Sequence, residues 1–355
     1  RPEGVLLLSD VKLISEPVIK NASAKVWDIG DGVLCFEHCS KMNTFDEEIF
    51  NLLEEVKKLI SKSDEYKALV IYNEASHFSA GANLGLAIFM INIAMWPQVE
   101  NFVARGQKVF MDLKFSDFPV ISAPSGMALG GGCEILLCAD AIQAHAETYT
   151  GLVEVGVGLL PGWGGCKEMI LRFQEREQAK YAKDLGAIGA KSMWMSPDTT
   201  PVGAVRKAFE TIGMATVSKS AFEAVDIGYM RHSDGITMNR DRLLYDAKKR
   251  ALELAQDYTP REKRTDIHLG GDGAKMALDM AVADMRKSGL ATPYDVVVSD
   301  HLATVLSGGD ADYTEALSED DILKLELREF MKLLHNEGTL ERIESMLTTG
   351  KPLRN

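Results

Sequence analysis

No apolar run in this sequence reaches the roughly 20 residues that a bilayer-spanning helix needs. The longest is LGLAIFMINIAMW at residues 84–96. Basic residues are in deficit. With 39 Lys and Arg against 52 Asp and Glu, the formal net charge is −13. That balance argues against nucleic acid or anionic lipid as the main partner and leaves room only for a local basic groove. Cysteines are few and odd in number: Cys35, Cys39, Cys133, Cys138 and Cys166. With no signal peptide read ahead of them, they are expected as reduced thiols in a cytoplasmic setting. The seven histidines show no H-E-x-x-H spacing. Cys35, His38 and Cys39 lack a second ligand pair, so they read as structural and no metal is expected. There is no repeat of 20–50 residues and no low-complexity tract, and SGGDAD and LGGDGA read as helix-ending loops. A first residue that is Arg1 and not Met suggests a piece of a longer polypeptide.

The chain has 355 residues and is 46% hydrophobic, enough for one large domain or two ordinary ones with a sizeable core. Residues 1–24 read as a connector. KVWDIGDGVLCFEH reads as two short strands around Asp31-Gly32. NTFDEEIFNLLEEVKKLI reads as an amphipathic helix with Thr44 as N-cap and Glu47 completing a capping box. ALVIYN (68–73) is a buried strand, HFSAGANL (77–84) a glycine-bearing loop, and 85–115 mostly helix with a break near Pro97. A strand at 118–126, a short helix over 131–139 and a strand at 141–146 follow. A helix is expected from about Gly162, and from about 175 the pattern is helical almost to the end. An α/β first part and a helical second part follow from that order.

The chemistry concentrates in GMALGGGCEILLCAD (126–140). Gly130, Gly131 and Gly132 directly precede a helix, where backbone N–H groups are unpaired and the lack of Cβ atoms permits close approach. Such donors can stabilise an oxyanion or cradle a phosphate. Nothing basic lies within 126–140 and the G-x-G-x-x-G spacing is absent, which favours the oxyanion. Close helix–strand packing is the competing explanation. A second donor loop holds Ser79, Ala80, Gly81 and Ala82. Glu134 lies one turn into the helix and Glu154 in an apolar loop. Buried, each would have a raised pKa, and a pair beside an oxyanion hole suits addition or removal of water. A solvated loop position is the bland alternative for either one, as it is for Glu147.

HFSAGANL, GMALGGGCEILLCAD and GLVEVGVGLLPGWGG together resemble the crotonase (enoyl-CoA hydratase/isomerase) superfamily in order and spacing. The usual family forms are F-x-A-G-A-D, G-G-G-x-E and P-E-x-x-x-G-x-x-P-G-x-G-G. The resemblance implies an α/β fold with a crotonase-like ββα spiral core followed by a helical C-terminal region. The connector would cover 1–24, an acyl-CoA-binding core 25–230, and the helical region 231–355. It further implies an oxyanion hole from the amides of Ala82 and Gly131, with Glu134 acting on water at C3 and Glu154 on a proton at C2 of a trans-2-enoyl-CoA. Met42, Thr44, Ala80, Gly81, Asn83, Leu84, Gly130, Pro161, Gly162 and Trp163 would line the substrate. Asn83, Val153 and Trp163 depart from the common Asp, Pro and small residue, and Trp163 bears on acyl-chain preference.

LELREFMKLLHNEGTLERIESMLTTGKPLRN resembles the end of bifunctional 3-hydroxyacyl-CoA dehydrogenase/enoyl-CoA hydratase chains. The function implied is hydration in fatty-acid beta-oxidation, with no cofactor for that step. NAD would serve only a dehydrogenase part whose glycine motif this sequence lacks. A homo-oligomer, or a thiolase-type partner for the full-length enzyme, is implied as well. An enoyl-CoA delta-isomerase using one glutamate is an alternative. A non-catalytic acyl-CoA-binding module whose helical tail binds a partner is another. Turnover of crotonyl-CoA separates these classes.

Overall fold

The Asp31-Gly32 turn forces three consecutive residues, Gly30, Asp31 and Gly32, to positive φ (86°, 58° and 77°). This reversal folds β2 (Ala24–Asp28) back on β3 (Val33–His38) in an antiparallel pair, with β1 (Ile19–Lys20) outside β2. The remaining strands of the main sheet are parallel: β4 (Ala68–Ile71), β5 (Val120–Ser122), β7 (Ala141–His145) and β9 (Gly235–Thr237). A smaller parallel pair joins β6 (Gly126–Leu129) to β8 (Thr148–Gly151). The chain thus alternates between two sheets, β5–β6–helix–β7–β8, as expected for a ββα core. The structure is a computed structural model and describes residues 1–188 and 201–355.

Parallel strands need both faces covered, and β3 and β4 are buried at every residue. One face carries Val33, Cys35, Ala68 and Val70, packed with Leu8 and Val11 of α1 (Leu8–Ile14). The helices after β4 are α3 (Leu84–Asn92) and α4 (Trp96–Lys114), broken ahead of Pro97 as expected. The other face carries Phe36, whose cluster runs through His38 to Phe45, Phe50 and Phe110. Burial among these rings lowers the His38 pKa to about 4, so the imidazole is neutral. The cluster reaches the apolar stripe of α2 (Glu47–Ser61), where Ile49, Leu52, Leu53, Val56 and Ile60 recur at helical spacing.

The remaining helices are α5 (Gly131–Cys138), α6 (Gly165–Ile188), α7 (Pro201–Gly213), α8 (Ala221–Ile227) and α9 (Leu243–Ala255). After them come α10 (Gly271–Lys287), α11 (Pro293–Ser307), α12 (Glu319–Leu334) and α13 (Glu337–Thr349). The chain divides into two units: residues 1–152 with 217–262, and residues 153–216 with 263–355. The first holds both sheets, and Leu243, Leu244, Ala247 and Ala251 of α9 complete its core. The second is helical.

Four expectations are corrected. Part of the connector over 1–24 is α1, anchored by two apolar residues three apart. The α2 N-cap is Asp46, whose carboxylate accepts from the Ile49 amide at 2.9 Å. Thr44 cannot serve, because Phe45 is held extended by a bridge to Ala82 and delays the helix. β9 interrupts the helical second part; three residues are too few to show alternation. Gly271 begins α10, so LGGDGA starts a helix where a helix end was expected.

Candidate functional site

Two loops of the first unit meet at the glycine triplet. Residues 77–83 leave β4 and run beside β6: the Ser79 amide donates to Met127 O and the Leu129 amide to Ser79 O, both at 3.0 Å. Its next amides are also used. Ala80 donates to Met42 O at 3.2 Å, and Gly81 to Ser79 Oγ at 3.1 Å. Ser79 Oγ donates to Asn43 O at 2.7 Å. The Met42 loop is thereby tied to this one, with Met42 and Asn43 at φ of 56° and 52°. Two consecutive non-glycine residues in the left-handed region are strained, and such strain gathers at functional sites. In the same loop, the Thr44 hydroxyl donates to Lys41 O at 3.1 Å.

The three glycines serve three ends. Gly130 has φ 56° and ψ −124°, a conformation that disfavours any Cβ. A Cβ on Gly132 would stand 2.6 Å from Ser79 O, so only glycine admits the neighbouring loop. Gly131 is the first residue of α5 and its amide has no intrahelical partner. Gly81, at φ +85°, brings its own loop so close that a Cβ there would lie 3.0 Å from Gly131 N. Among the described residues, the amides of Ala82 and Gly131 donate to no acceptor. Asn83 caps α3, its Oδ1 accepting from Leu86 N at 3.1 Å, with Leu84 following as the first helical residue. An asparagine performs this capping about as well as aspartate, which accounts for the departure at this position.

Glu134 sits in the first turn of α5 and is 2% exposed. A carboxylate there lies where the helix dipole favours negative charge.

In the second unit, Glu154 opens a single 3₁₀ turn, Glu154–Val157, closed by left-handed Gly158. Both carboxylate oxygens of Glu154 are shielded from solvent. Pro161, Gly162 and Trp163 are buried, Trp163 at 4% exposure. The turn into α6 is held by a residue that sequence reading missed. Glu326 of α12 accepts from the Gly164 amide at 2.8 Å and the Lys167 amide at 2.7 Å, capping α6 from another helix. Lys167 in turn reaches Glu168 and, at 2.6 Å, Glu319. A signal for Glu326 exists: it falls on the apolar face of α12 with Ile322, Glu329 and Leu333. A cavity of about 460 Å³ in this unit is walled by Val155, Gly156, Phe209, Leu278, Met285 and Leu353 among others; Trp163 does not line it.

Among the described residues, no cluster of His, Cys, Asp or Glu could hold a metal ion and no helix is long and apolar enough to cross a membrane.

Residues 32–191 match the family described as Enoyl-CoA hydratase/isomerase. A Bacillus subtilis (strain 168) protein named "Probable 3-hydroxyacyl-CoA dehydrogenase" is 35% identical over 338 residues, covering 95% of this chain and 40% of that protein. The fatty acid oxidation complex subunit alpha of Idiomarina loihiensis is 31% identical over 140 residues, 39% of this chain and 19% of that one. The chain therefore spans less than half the length of either relative. The solved enoyl-CoA hydratase of Bacillus halodurans superposes with a TM-score of 0.58 at 13% identity, covering 91% of this chain and 100% of that one, which is a likeness of fold. The likeness to the enoyl-CoA hydratase/isomerase family therefore covers residues 32–191, less than half of the 355-residue chain.

Proposed function

We propose that this chain hydrates trans-2-enoyl-CoA thioesters in fatty-acid beta-oxidation, in the cytoplasm and without a cofactor. The observation that carries this reading is the pair of unused amides, Ala82 and Gly131, in adjoining loops with Glu134 buried one turn further on. Glu134, ionised, takes a proton from water as its oxygen bonds to C3. The π electrons of the C2–C3 bond move toward the thioester, and the carbonyl oxygen gains negative charge. The amides of Ala82 and Gly131 donate to that oxygen, where a preorganised donor acts most strongly. Glu154, entering protonated, delivers its proton to C2, and the carbonyl re-forms. Solvent then returns the proton from Glu134 to Glu154. The other substrate contacts proposed are Met42, Thr44, Ala80, Gly81, Asn83, Leu84, Gly130, Pro161, Gly162 and Trp163. The 3-hydroxyacyl-CoA product is what an NAD-dependent dehydrogenase part would oxidise; that step is not assigned to these residues. A homo-oligomer, or a thiolase-type partner for a longer enzyme, is proposed from the family resemblance alone.

Loss of the absorbance of the conjugated thioester reports the reaction. Glu134→Gln and Glu154→Gln should each lower kcat by about 10²–10⁴-fold, the range for a lost general acid or base, with acyl-CoA binding kept. No turnover with short, medium and long chains would sink the hydratase reading.

A further inference from the structure

The 3₁₀ turn that carries Glu154 is one short turn, Glu154–Val157. Its hydrogen bonds include Gly156 N to Val153 O, Gly158 N to Val155 O and Leu159 N to Glu154 O, each 3.0 Å, and Gly158 N also reaches Glu154 O. A single short turn of this type is marginal by itself. Two side chains of α13 reach into it. Thr339 Oγ1 donates to Gly158 O at 2.7 Å, and Arg342 Nη1 donates to Val155 O at 3.2 Å. These carbonyls lie one and four residues beyond Glu154.

Both anchors are themselves fixed. Thr339 is fully buried and its hydroxyl pairs with Tyr294 OH at 2.6 Å. Arg342 is 2% exposed. Its guanidinium donates to Asp295 Oδ1 at 2.8 Å, to Asn355 Oδ1 at 2.7 Å and to Thr292 Oγ1 at 3.3 Å, and it lies 5.1 Å from the Tyr294 ring centroid. Burial works to raise the Asp295 pKa, but bonds from Thr292 and Arg342 outweigh it and hold the carboxyl below its ordinary value. Contact is close on the backbone side as well. A Cβ on Gly158 would come within 3.0 Å of Thr339 Cα, and one on Gly338 within 2.6 Å of the Tyr294 ring.

A buried arginine spends its donors where geometry demands them, because an unmet donor there is expensive. One of these donors goes to a main-chain carbonyl beside Glu154. We infer that Thr339 and Arg342 are positioning residues for Glu154: they set the turn so that its carboxylate meets the substrate. The C-terminal helices are on this account part of the catalytic apparatus. The inference rests on the proposed role of Glu154.

The test uses the full chain and a trans-2-enoyl-CoA. Thr339→Val removes the hydroxyl at nearly constant volume, and Arg342→Lys keeps the charge but loses the planar fork. Each should lower kcat by about 10–100-fold, the scale of a misplaced catalytic group. KM should change less than threefold, and Thr339→Ser should restore most of the rate. In a Glu154→Gln background the same substitutions should cost no further rate, since residues acting through one group are non-additive. Wild-type kcat in both Thr339→Val and Arg342→Lys overturns the inference. So does an equal loss in the Glu154→Gln background, which would mean a general structural effect. If Glu154→Gln itself retains full activity, the role of Glu154 fails first, and that outcome is distinct from either.

Discussion

Gly81 condenses the chemistry of the first unit into one position. Its φ of +85° is costly for any residue with a Cβ, and that atom would press on Leu129 O at 2.9 Å and Gly131 N at 3.0 Å. Gly81→Ala should therefore destabilise the protein by about 1–3 kcal/mol. It should also separate the Ala82 and Gly131 amides and reduce kcat per folded molecule. Thermal unfolding and kcat measured on one preparation decide: a lowered Tm with kcat unchanged would mean that the two amides do not meet the reacting carbonyl. At this scale the sequence was informative. Glycines that must lie at positive φ, and a carboxylate one turn beyond them, are visible as letters. Thr339 and Arg342 were not, because a buried threonine or arginine on an amphipathic helix looks like a solvated one until its partner, 181 or 187 residues away in sequence, is known.

Helix ends divide in the same way. Asp46, Asn83, Ser220, Thr292 and Ser318 cap their own helices from the adjacent sequence, and such caps can be read locally. The error at Thr44 shows the limit. A capping residue is chosen by where the chain stops being extended, and here a bridge from Phe45 to Ala82 sets that point. α6 is capped from outside by Glu326, whose carboxylate holds the amides of Gly164 and Lys167 in a fully buried setting. Bonds to charged groups contribute about 1.5–3 kcal/mol each, and the amides left behind would be buried and unmet. Glu326→Ala should lower stability by at least about 2 kcal/mol in denaturant unfolding, with Glu326→Gln intermediate because it keeps an acceptor. An unchanged midpoint for Glu326→Ala would show that water or another side chain replaces the cap.

On the scale of the whole molecule, the family resemblance implied a core over residues 25–230. The first unit runs past that point: β9 pairs with β7, and α9 supplies Leu243, Leu244, Ala247 and Ala251 to the core. Strand order along a sheet is set by packing partners distant in sequence, and a three-residue strand carries no periodic signal of its own. A chain ending at residue 230 should consequently lack a cooperative unfolding transition and collect in inclusion bodies. One ending at 262 should be the shorter limit for an ordered first unit. A soluble 1–230 fragment with a sharp transition would refute this. Because each unit is assembled from two separated stretches, the division also orders events on the ribosome. The sheets emerge early but wait for residues 235–255 before their last strand and helix arrive, while residues 153–216 leave the exit tunnel in between, before their own partners at 263–355 exist. Unfinished hydrophobic surface on a nascent chain invites chaperones. A slow stretch of translation, or a holdase, acting over the synthesis of residues 153–262 would therefore govern the yield of folded protein more than any single side chain in the site.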